Sequence, residues 1–221
     1  MKTSETQKPV HIGRVVCNAL IFGSSNLRRR SVKNSSIPEN VDSFFALLQE
    51  RRIDYLLVGE IALLQYVEGR NTEGIDLILS ASSLGRLPEI QLSGQDDPSF
   101  AHGIFEGLRN DHLLTSKPQF ETDSRRYATI RPFVEREIPC ATVEGMILLK
   151  LYALPSLYRQ GNLVRAALYE TDLLTLIHRY QPELEPLFAE LALHVSATDL
   201  AALRRIVAEI QERIARFGQG F

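Results

Sequence analysis

Several residue types and patterns are scarce in this chain of 221 residues. It contains no tryptophan and only two cysteines, Cys17 and Cys140, which lie far apart and show no metal-ligand spacing. This cysteine usage argues against a disulfide scaffold and predicts free thiols in a reducing compartment. No apolar run approaches the roughly 20 residues that a membrane-spanning helix needs, and the first residues lack a secretory hydrophobic core. We therefore expect a cytoplasmic protein that does not enter the membrane.

The chain also lacks an excess of charge of either sign. Its 25 Lys and Arg residues face 27 Asp and Glu residues, which leaves a formal net charge of -2. A nucleic-acid-binding surface is therefore not visible in the totals, because such surfaces are strongly basic. The basic run Arg28-Arg29-Arg30 stands in a polar segment without aromatic residues, and we interpret it as a solvated loop rather than a phosphate contact.

The distribution of apolar residues predicts three regions. Residues 1–37 read as a flexible arm, 38–141 as a mixed α/β region and 142–221 as a helical region. Ser36 to Glu39 resembles a capping box with proline in the first turn. The helix after it carries an apolar stripe at the spacing i, i+3, i+4, i+7, made of Val41, Phe44, Phe45 and Leu48.

The stretch from Asp54 to Ser80 organises the rest. Tyr55 to Val58 is an apolar strand that ends at Gly59, and a short apolar helix follows. A second apolar strand, Ile75 to Leu79, is interrupted by Asp76. A lone carboxylate inside such a strand is costly to bury unless it is paired or binds a cation. Asp76 therefore needs either a basic partner, for which Arg70 and Lys150 are candidates, or a metal ion.

The segments beyond Ser80 have weaker patterns. Residues 80–99 read as a loop with one helical turn, and Gly107 between apolar residues predicts a hairpin. Residues 111–115 form a strand candidate with Asp111 at its head, although Asp111 after Asn110 also suits a turn. Thr142 is suited to cap a helix that ends before Pro155.

Gly59, Asp76 and Asp111 together suggest a site for a phosphate group and a metal ion. The N-terminus of a helix has unsatisfied N–H groups, so the glycine before it is a natural place for a phosphate, and Arg70 is the nearest cation. Asp111 would lie beside Asp76 if the two strands are neighbours. Two carboxylates beside a phosphate site would bind a nucleotide together with Mg²⁺.

Four segments resemble the nucleotidyltransferase superfamily, specifically its minimal, AbiEii-like branch. VGEIALLQYVEGRNTEGIDLIL is similar to the first motif, in which Gly-Gly or Gly-Ser and a short helix precede Arg-x-Thr-x-Asp-x-Asp-Leu. LRNDHLLTS resembles the strand with the third carboxylate, PCATVEGMILLKLYAL the helix with a lysine, and YETDLLTL a later Asp-x-x-Asp-Leu helix. The resemblance spans residues 41–177. It implies an α+β fold in which a small mixed β-sheet with flanking helices is followed by an α-helical C-terminal half.

The resemblance also implies an activity and its residues. The reaction would be the Mg²⁺-dependent transfer of a nucleotidyl group from a nucleoside triphosphate to an unknown acceptor, with RNA and protein as candidates. Asp76 and Asp111 would bind the metal and carry the catalysis. The nucleotide would be bound at Gly59, Glu60, Arg70, Thr72 and Lys150. Asp172 matches a further position of the family motifs.

Three positions depart from the family pattern. Glu60 stands where the family has a small residue, Gly74 where it has the first metal-binding Asp, and Tyr169 where it often has an Asp. The loss of one carboxylate weakens a two-metal site, although Glu60 or Glu73 is open as a substitute ligand. These departures motivate an alternative: an inactive member that senses nucleotides or binds a partner, as in toxin–antitoxin pairs.

Other residues have structural interpretations that stay open. Lys150 is also suited to a helix surface, where its stem would cover apolar area, and Asp172 to a solvated helix position. His102, His112 and His178 share no metal spacing, and no nucleophile pair is indicated. An apolar stripe on the last helix suits a homodimer or packing within its own monomer; it consists of Leu200, Leu203, Val207, Ile210, Ile214 and Phe217.

Overall fold

A computed structural model describes residues 37–67, 74–93, 97–133 and 136–217 of the chain. Within these ranges the strands are β1 Tyr55–Val58, β2 Gly74–Leu79, β3 Gln91–Ser93, β4 Phe100–Phe105, β5 Leu108–Leu114, β6 Ala128–Phe133 and β7 Arg136–Ala141. The helices are α1 Ile37–Glu50, α2 Gly59–Leu63, α3 Ala81–Leu84, α4 Pro118–Arg126, α5 Val143–Arg159, α6 Leu163–Tyr180, α7 Glu185–Leu191 and α8 Ala197–Phe217. The α+β class predicted from the sequence is confirmed.

The strands form one mixed sheet of seven strands in the order β3-β4-β5-β2-β1-β7-β6. Strand β1 pairs antiparallel with β2 and parallel with β7, and β2 pairs parallel with β5. The hairpin predicted at Gly107 joins β4 to β5. Both loop residues, Glu106 and Gly107, have positive φ angles of 48° and 80°, which suits the type I′ turn that matches strand twist.

The sheet is covered by helices, which explains why its central strands are apolar on both faces. Leu56, Leu57 and Val58 of β1 are all buried, as are Leu77, Ile78 and Leu79 of β2. The predicted stripe of α1 packs on this core, since its four apolar side chains are at most 1% exposed. Burying a large apolar side chain stabilises a fold by roughly 1.5–3 kcal/mol, so these contacts position the site described below.

Two sequence predictions about local structure were wrong, and two elements were not predicted. The strand around Asp111 begins at Leu108, so Asp111 lies inside β5 and is neither a strand head nor a turn residue. Helix α5 continues through Pro155 to Arg159, although proline removes one backbone donor. Helix α4 and strand β3 were not predicted, because α4 has the polar sequence PQFETDSRR with one buried apolar side chain, Phe120, and β3 has three exposed residues.

Helices α5 to α8 pack together in the C-terminal half. On α8 the side chains of Leu203, Val207 and Ile210 are at most 1% exposed, and Leu200 and Ile214 pack against the same core. The α8 stripe therefore packs within its own chain as far as it is described; the side chain of Phe217 lies outside the described residues. No helix of the described ranges is both long and apolar enough to span a bilayer.

Candidate functional site

Asp76 and Asp111 lie side by side on neighbouring strands. Strands β2 and β5 are parallel, and Asp76 is the register partner of Asp111, so both side chains project from the same face of the sheet. On the next strand His102 opposes Asp111, and its Nδ1 lies 2.9 Å from Asp111 Oδ1. The register thus places His102, Asp111 and Asp76 in one row across three strands.

Gly59 directly adjoins this row. Its φ angle is +67°, and a Cβ atom at this position would lie 1.9 Å from Asp76 Oδ2. Only glycine tolerates both the left-handed backbone and this close approach. The backbone N–H of Glu60 donates a hydrogen bond to the Asp76 carboxylate. The turn after β1 is therefore built around the acid of β2, and the motif residues Gly59 and Asp76 are brought together.

The electrostatics of Asp76 reflect this crowding. The pKa of Asp76 is raised from 3.8 to about 6, first by burial and then by the charges of Asp111 and Glu60. Arg165 and the Glu60 N–H act in the opposite direction. Removing a carboxylate from water and placing it beside other acids disfavours its charged form. A cation between the two aspartates would lower the pKa of Asp76 again, because it would favour the charged form of the carboxylate.

The row opens into a cleft of about 690 Å³ between the sheet and helices α5 and α6. This volume lies in the usual range of small-molecule sites. Gly59, Asp76, Asp111 and His102 line it from the sheet side, together with helix residues that include Lys150, Arg159, Arg165 and Tyr169. Lys117 also lines the cleft, and its ammonium lies 5.2–5.7 Å from the ring centroids of Phe100, Phe120 and Tyr152.

Lys150 enters the cleft from α5 but is held by an acid. Its Nζ lies 2.8 Å from Asp172 Oδ2 on α6, and each side chain is 5% exposed. The same Nζ lies 4.3 Å from the ring centroid of Tyr169. Lys150 is thus not a surface lysine over apolar area, and Asp172 is not a solvated helix residue. A buried pair of this kind is stable only while both partners are present, because either charge left alone in the interior would be costly.

Arg165 belongs to the site although no sequence motif singled it out. It lies in the first turn of α6, where its backbone N–H donates to the capping side chain of Asn162. Its Cζ lies 5.8 Å from the ring centroid of Tyr169. Tyr169 contributes most to the raised pKa of Arg165, and Asp76 and Glu60 contribute as well. One signal was available: residues 165 and 169 are four apart and share a helix face, and Tyr169 lies in a motif segment.

The remaining motif positions are only partly visible. Arg70, Thr72 and Glu73 lie outside the described residues. Gly74 shares the face of Asp76, and a Cβ on it would lie 2.9 Å from the backbone oxygen and 3.4 Å from Nε of Arg109. The position where the resembled family has an acid is thus flanked by an arginine. Among the described residues, no group of three or more His, Cys, Asp or Glu is arranged to hold a metal ion.

Comparisons with known proteins support the fold. Neither a protein-family model nor a curated protein sequence matches the chain. Among solved structures, an antigenic nucleotidyltransferase-like protein from Paracoccidioides brasiliensis is similar with a TM-score of 0.56 and 16% identity, over 79% of this chain and 88% of that one. The lincomycin-bound lincosamide antibiotic adenylyltransferase LnuA gives a TM-score of 0.40 and 17% identity, over 50% of this chain and 83% of that one. The former likeness shows a nucleotidyltransferase-like fold.

Proposed function

We propose that this chain transfers a nucleotidyl group from a nucleoside triphosphate to an acceptor with the help of Mg²⁺, and that it belongs to the AbiEii-like branch of that fold. The observation that carries the proposal is the register pairing of Asp76 with Asp111 beside Gly59. A shared fold alone does not establish an activity. Here the two acids and the glycine of the motif meet at one edge of a cleft, and this arrangement supports the proposal.

The two aspartates suit one Mg²⁺ that arrives with the nucleotide. Mg²⁺ is commonly bound by one or two carboxylates plus substrate phosphates and keeps several water ligands. Burial and the charges of Asp111 and Glu60 raise the pKa of Asp76, and a divalent cation beside the two acids would favour their charged forms. Gly74 provides no third carboxylate. Bound Mg²⁺ would neutralise charge on the reacting phosphate and favour ionisation of an acceptor hydroxyl.

The chain's own residues would bind and orient the nucleotide. The missing side chain of Gly59 leaves the space that the Asp76 carboxylate fills, which places that acid at the edge of the cleft, and Asp111 would face the acceptor side of the row. Arg70, Thr72 and Lys150 are proposed to orient the phosphates, although Lys150 would have to do so while paired with Asp172. RNA and protein remain the proposed acceptor classes.

Incubation with labelled nucleotides tests this proposal. The chain is incubated with Mg²⁺ and each of the four α-labelled nucleoside triphosphates, in the presence and absence of total RNA. We expect label on RNA or on the protein, and we expect it to disappear in Asp76→Asn and Asp111→Asn. The matched control is Asp54→Asn, which removes an exposed carboxylate before β1. Folded wild-type protein that transfers none of the four nucleotides would contradict the proposal.

A second candidate function has an observation in its favour. The arginine beside Gly74 and the acid-bound state of Lys150 suit a nucleotide-sensing or partner-binding protein of toxin–antitoxin type that has lost the transfer reaction. This candidate expects little Mg²⁺-dependent nucleotide affinity in calorimetry. Micromolar binding that requires Mg²⁺ would exclude it.

A further inference from the structure

Four lysine and arginine side chains among the described residues line the cleft, and two of them are paired with acids. Lys150 is paired with Asp172, and Arg159 Nη1 lies 2.9 Å from Asp199 Oδ1. Lys117 lies over three aromatic rings. Arg165, the fourth, is the cation whose charge acts on Asp76.

Arg165 faces the acids from the opposite side of the cleft. Its helix, α6, belongs to the C-terminal half, whereas Asp76 and Glu60 belong to β2 and α2. Glu60 is exposed at the start of α2 and would repel a polyphosphate. Because Arg165 is electrostatically coupled to both Glu60 and Asp76, its guanidinium offsets the charge that makes Glu60 unfavourable at a nucleotide site.

The side chain of Arg165 is also partly preorganised. The Asn162 cap holds the first turn of α6, and the ring of Tyr169 supports the guanidinium one turn later. Tyr169 is held in turn by Lys150. Preorganisation lowers the entropic cost of binding. It also gives a reason for the tyrosine: an Asp at residue 169 would pair with Arg165 and draw its charge away from the acids.

We infer that Arg165 binds the phosphate groups of the nucleoside triphosphate alongside Lys150, whose charge is already paired with Asp172. A guanidinium offers a planar fork of N–H donors that matches phosphate oxygens. This inference rests on the proposed function, because it assigns a residue of the same site to the same substrate class. The binding is electrostatic and involves no covalent step.

A phosphate series tests the inference by calorimetry in the presence of Mg²⁺. The triphosphate that binds wild type most tightly is compared with its diphosphate, monophosphate and nucleoside. We expect Arg165→Met to weaken triphosphate binding by about 10- to 100-fold, as for loss of a charged hydrogen bond, and to leave nucleoside binding unchanged. Arg165→Lys should retain part of the affinity. The control Arg205→Met removes an exposed arginine of α8 and should change neither triphosphate binding nor nucleoside binding.

The outcomes separate this inference from the function on which it rests. Wild type that binds none of the four triphosphates overturns both. Wild type that binds a triphosphate, with Arg165→Met binding it equally well, overturns the role of Arg165 alone. Tyr169→Asp gives an independent readout, since the new acid should capture Arg165 and weaken triphosphate binding without removing the arginine. Unchanged triphosphate binding in Tyr169→Asp would contradict the supporting role of the ring.

Discussion

A Cβ atom on Gly59 would lie 1.9 Å from Oδ2 of Asp76, so the backbone of residue 59 and the carboxylate of residue 76 occupy adjoining space. The turn after β1 and the acid of β2 are therefore one structural unit, although 17 positions separate them in the sequence. Any side chain at residue 59 must displace the acid that the proposed reaction needs.

Gly59→Ala should destabilise the fold and abolish Mg²⁺-dependent nucleotide binding. A non-glycine residue at positive φ costs of order 1–3 kcal/mol, and the contact with Asp76 adds to that cost. Urea unfolding measures the loss. Gly161→Ala is the matched control, since Gly161 has φ +68° and nothing within 4 Å of its added Cβ. If both variants lose equal stability, the contact with Asp76 is unimportant.

The raised pKa of Asp76 predicts a pH dependence of stability. The folded protein keeps a proton on Asp76 up to about pH 6, whereas the unfolded chain loses it near the ordinary value of 3.8. The unfolding free energy contributed by this group therefore falls as pH rises from about 4 to 6, because the folded state binds more protons there. We expect Asp76→Asn to gain stability over wild type across this window.

Urea unfolding at several pH values from 4 to 8 measures that difference. The gain of Asp76→Asn should be small at pH 4 and reach a plateau above pH 6. Mg²⁺ should raise the stability of wild type at pH 7 and leave Asp76→Asn unchanged, because a ligand stabilises only the form that binds it. A difference between the two proteins that does not vary with pH would contradict the assignment.

The buried pair of Lys150 and Asp172 predicts a non-additive response. Lys150→Met leaves the Asp172 carboxylate buried without its ammonium partner, which typically costs 3–5 kcal/mol. Lys150→Met combined with Asp172→Leu removes both charges and should recover much of that loss. A double-mutant cycle in urea measures the coupling. Additive effects of the two substitutions would show that the pair does not act as a unit.

Local patterns were enough to predict the elements that build the site. The apolar strand before Gly59, the stripe of α1 and the acid inside β2 are visible within a few residues of sequence. Helix α4 was missed because its polar surface dominates its composition and a single phenylalanine attaches it to the core. The strand order that makes Asp111 the partner of Asp76 is non-local. The sequence therefore predicted this pairing only on the condition that the two strands are neighbours.

The positions of Arg165 and Arg109 in the site could not be predicted from local sequence patterns. Arg165 reaches the site because α6 lies across the cleft from α2, a relation set by packing of the two halves. Arg109 flanks Gly74 because β2 and β5 are parallel and in register. The spacing of Arg165 and Tyr169 indicates only that they share a helix face; that Arg165 lies across the cleft from the acids, and Arg109 beside Gly74, depends on how distant segments pack. The described charges of the site therefore differ from those of the resembled motif. Arg109 lies beside Gly74, where the motif has an acid, and the charge of Arg165 acts on Glu60, where the motif has a small residue.

Placing an acid at residue 74, where the resembled family has one, should not by itself increase transfer, because Arg109 lies beside that residue. In Gly74→Asp the new carboxylate would start within reach of the Arg109 side chain, so we expect it to pair with that guanidinium instead of binding a second metal ion. Gly74→Asp alone should therefore not increase Mg²⁺-dependent transfer. Combined with Arg109→Leu it should raise transfer, because the carboxylate is then available to a cation.

Rates of label transfer at increasing Mg²⁺ concentration measure this response. The added Cβ approaches the Arg109 backbone oxygen to 2.9 Å, so Gly74→Ala, alone and with Arg109→Leu, controls for strain without adding charge. The expected order places the Gly74→Asp, Arg109→Leu protein above Arg109→Leu alone, with Gly74→Asp at or below wild type. If Gly74→Asp alone increases label transfer, the new carboxylate is not held by Arg109, and the arginine beside residue 74 has no part in the site.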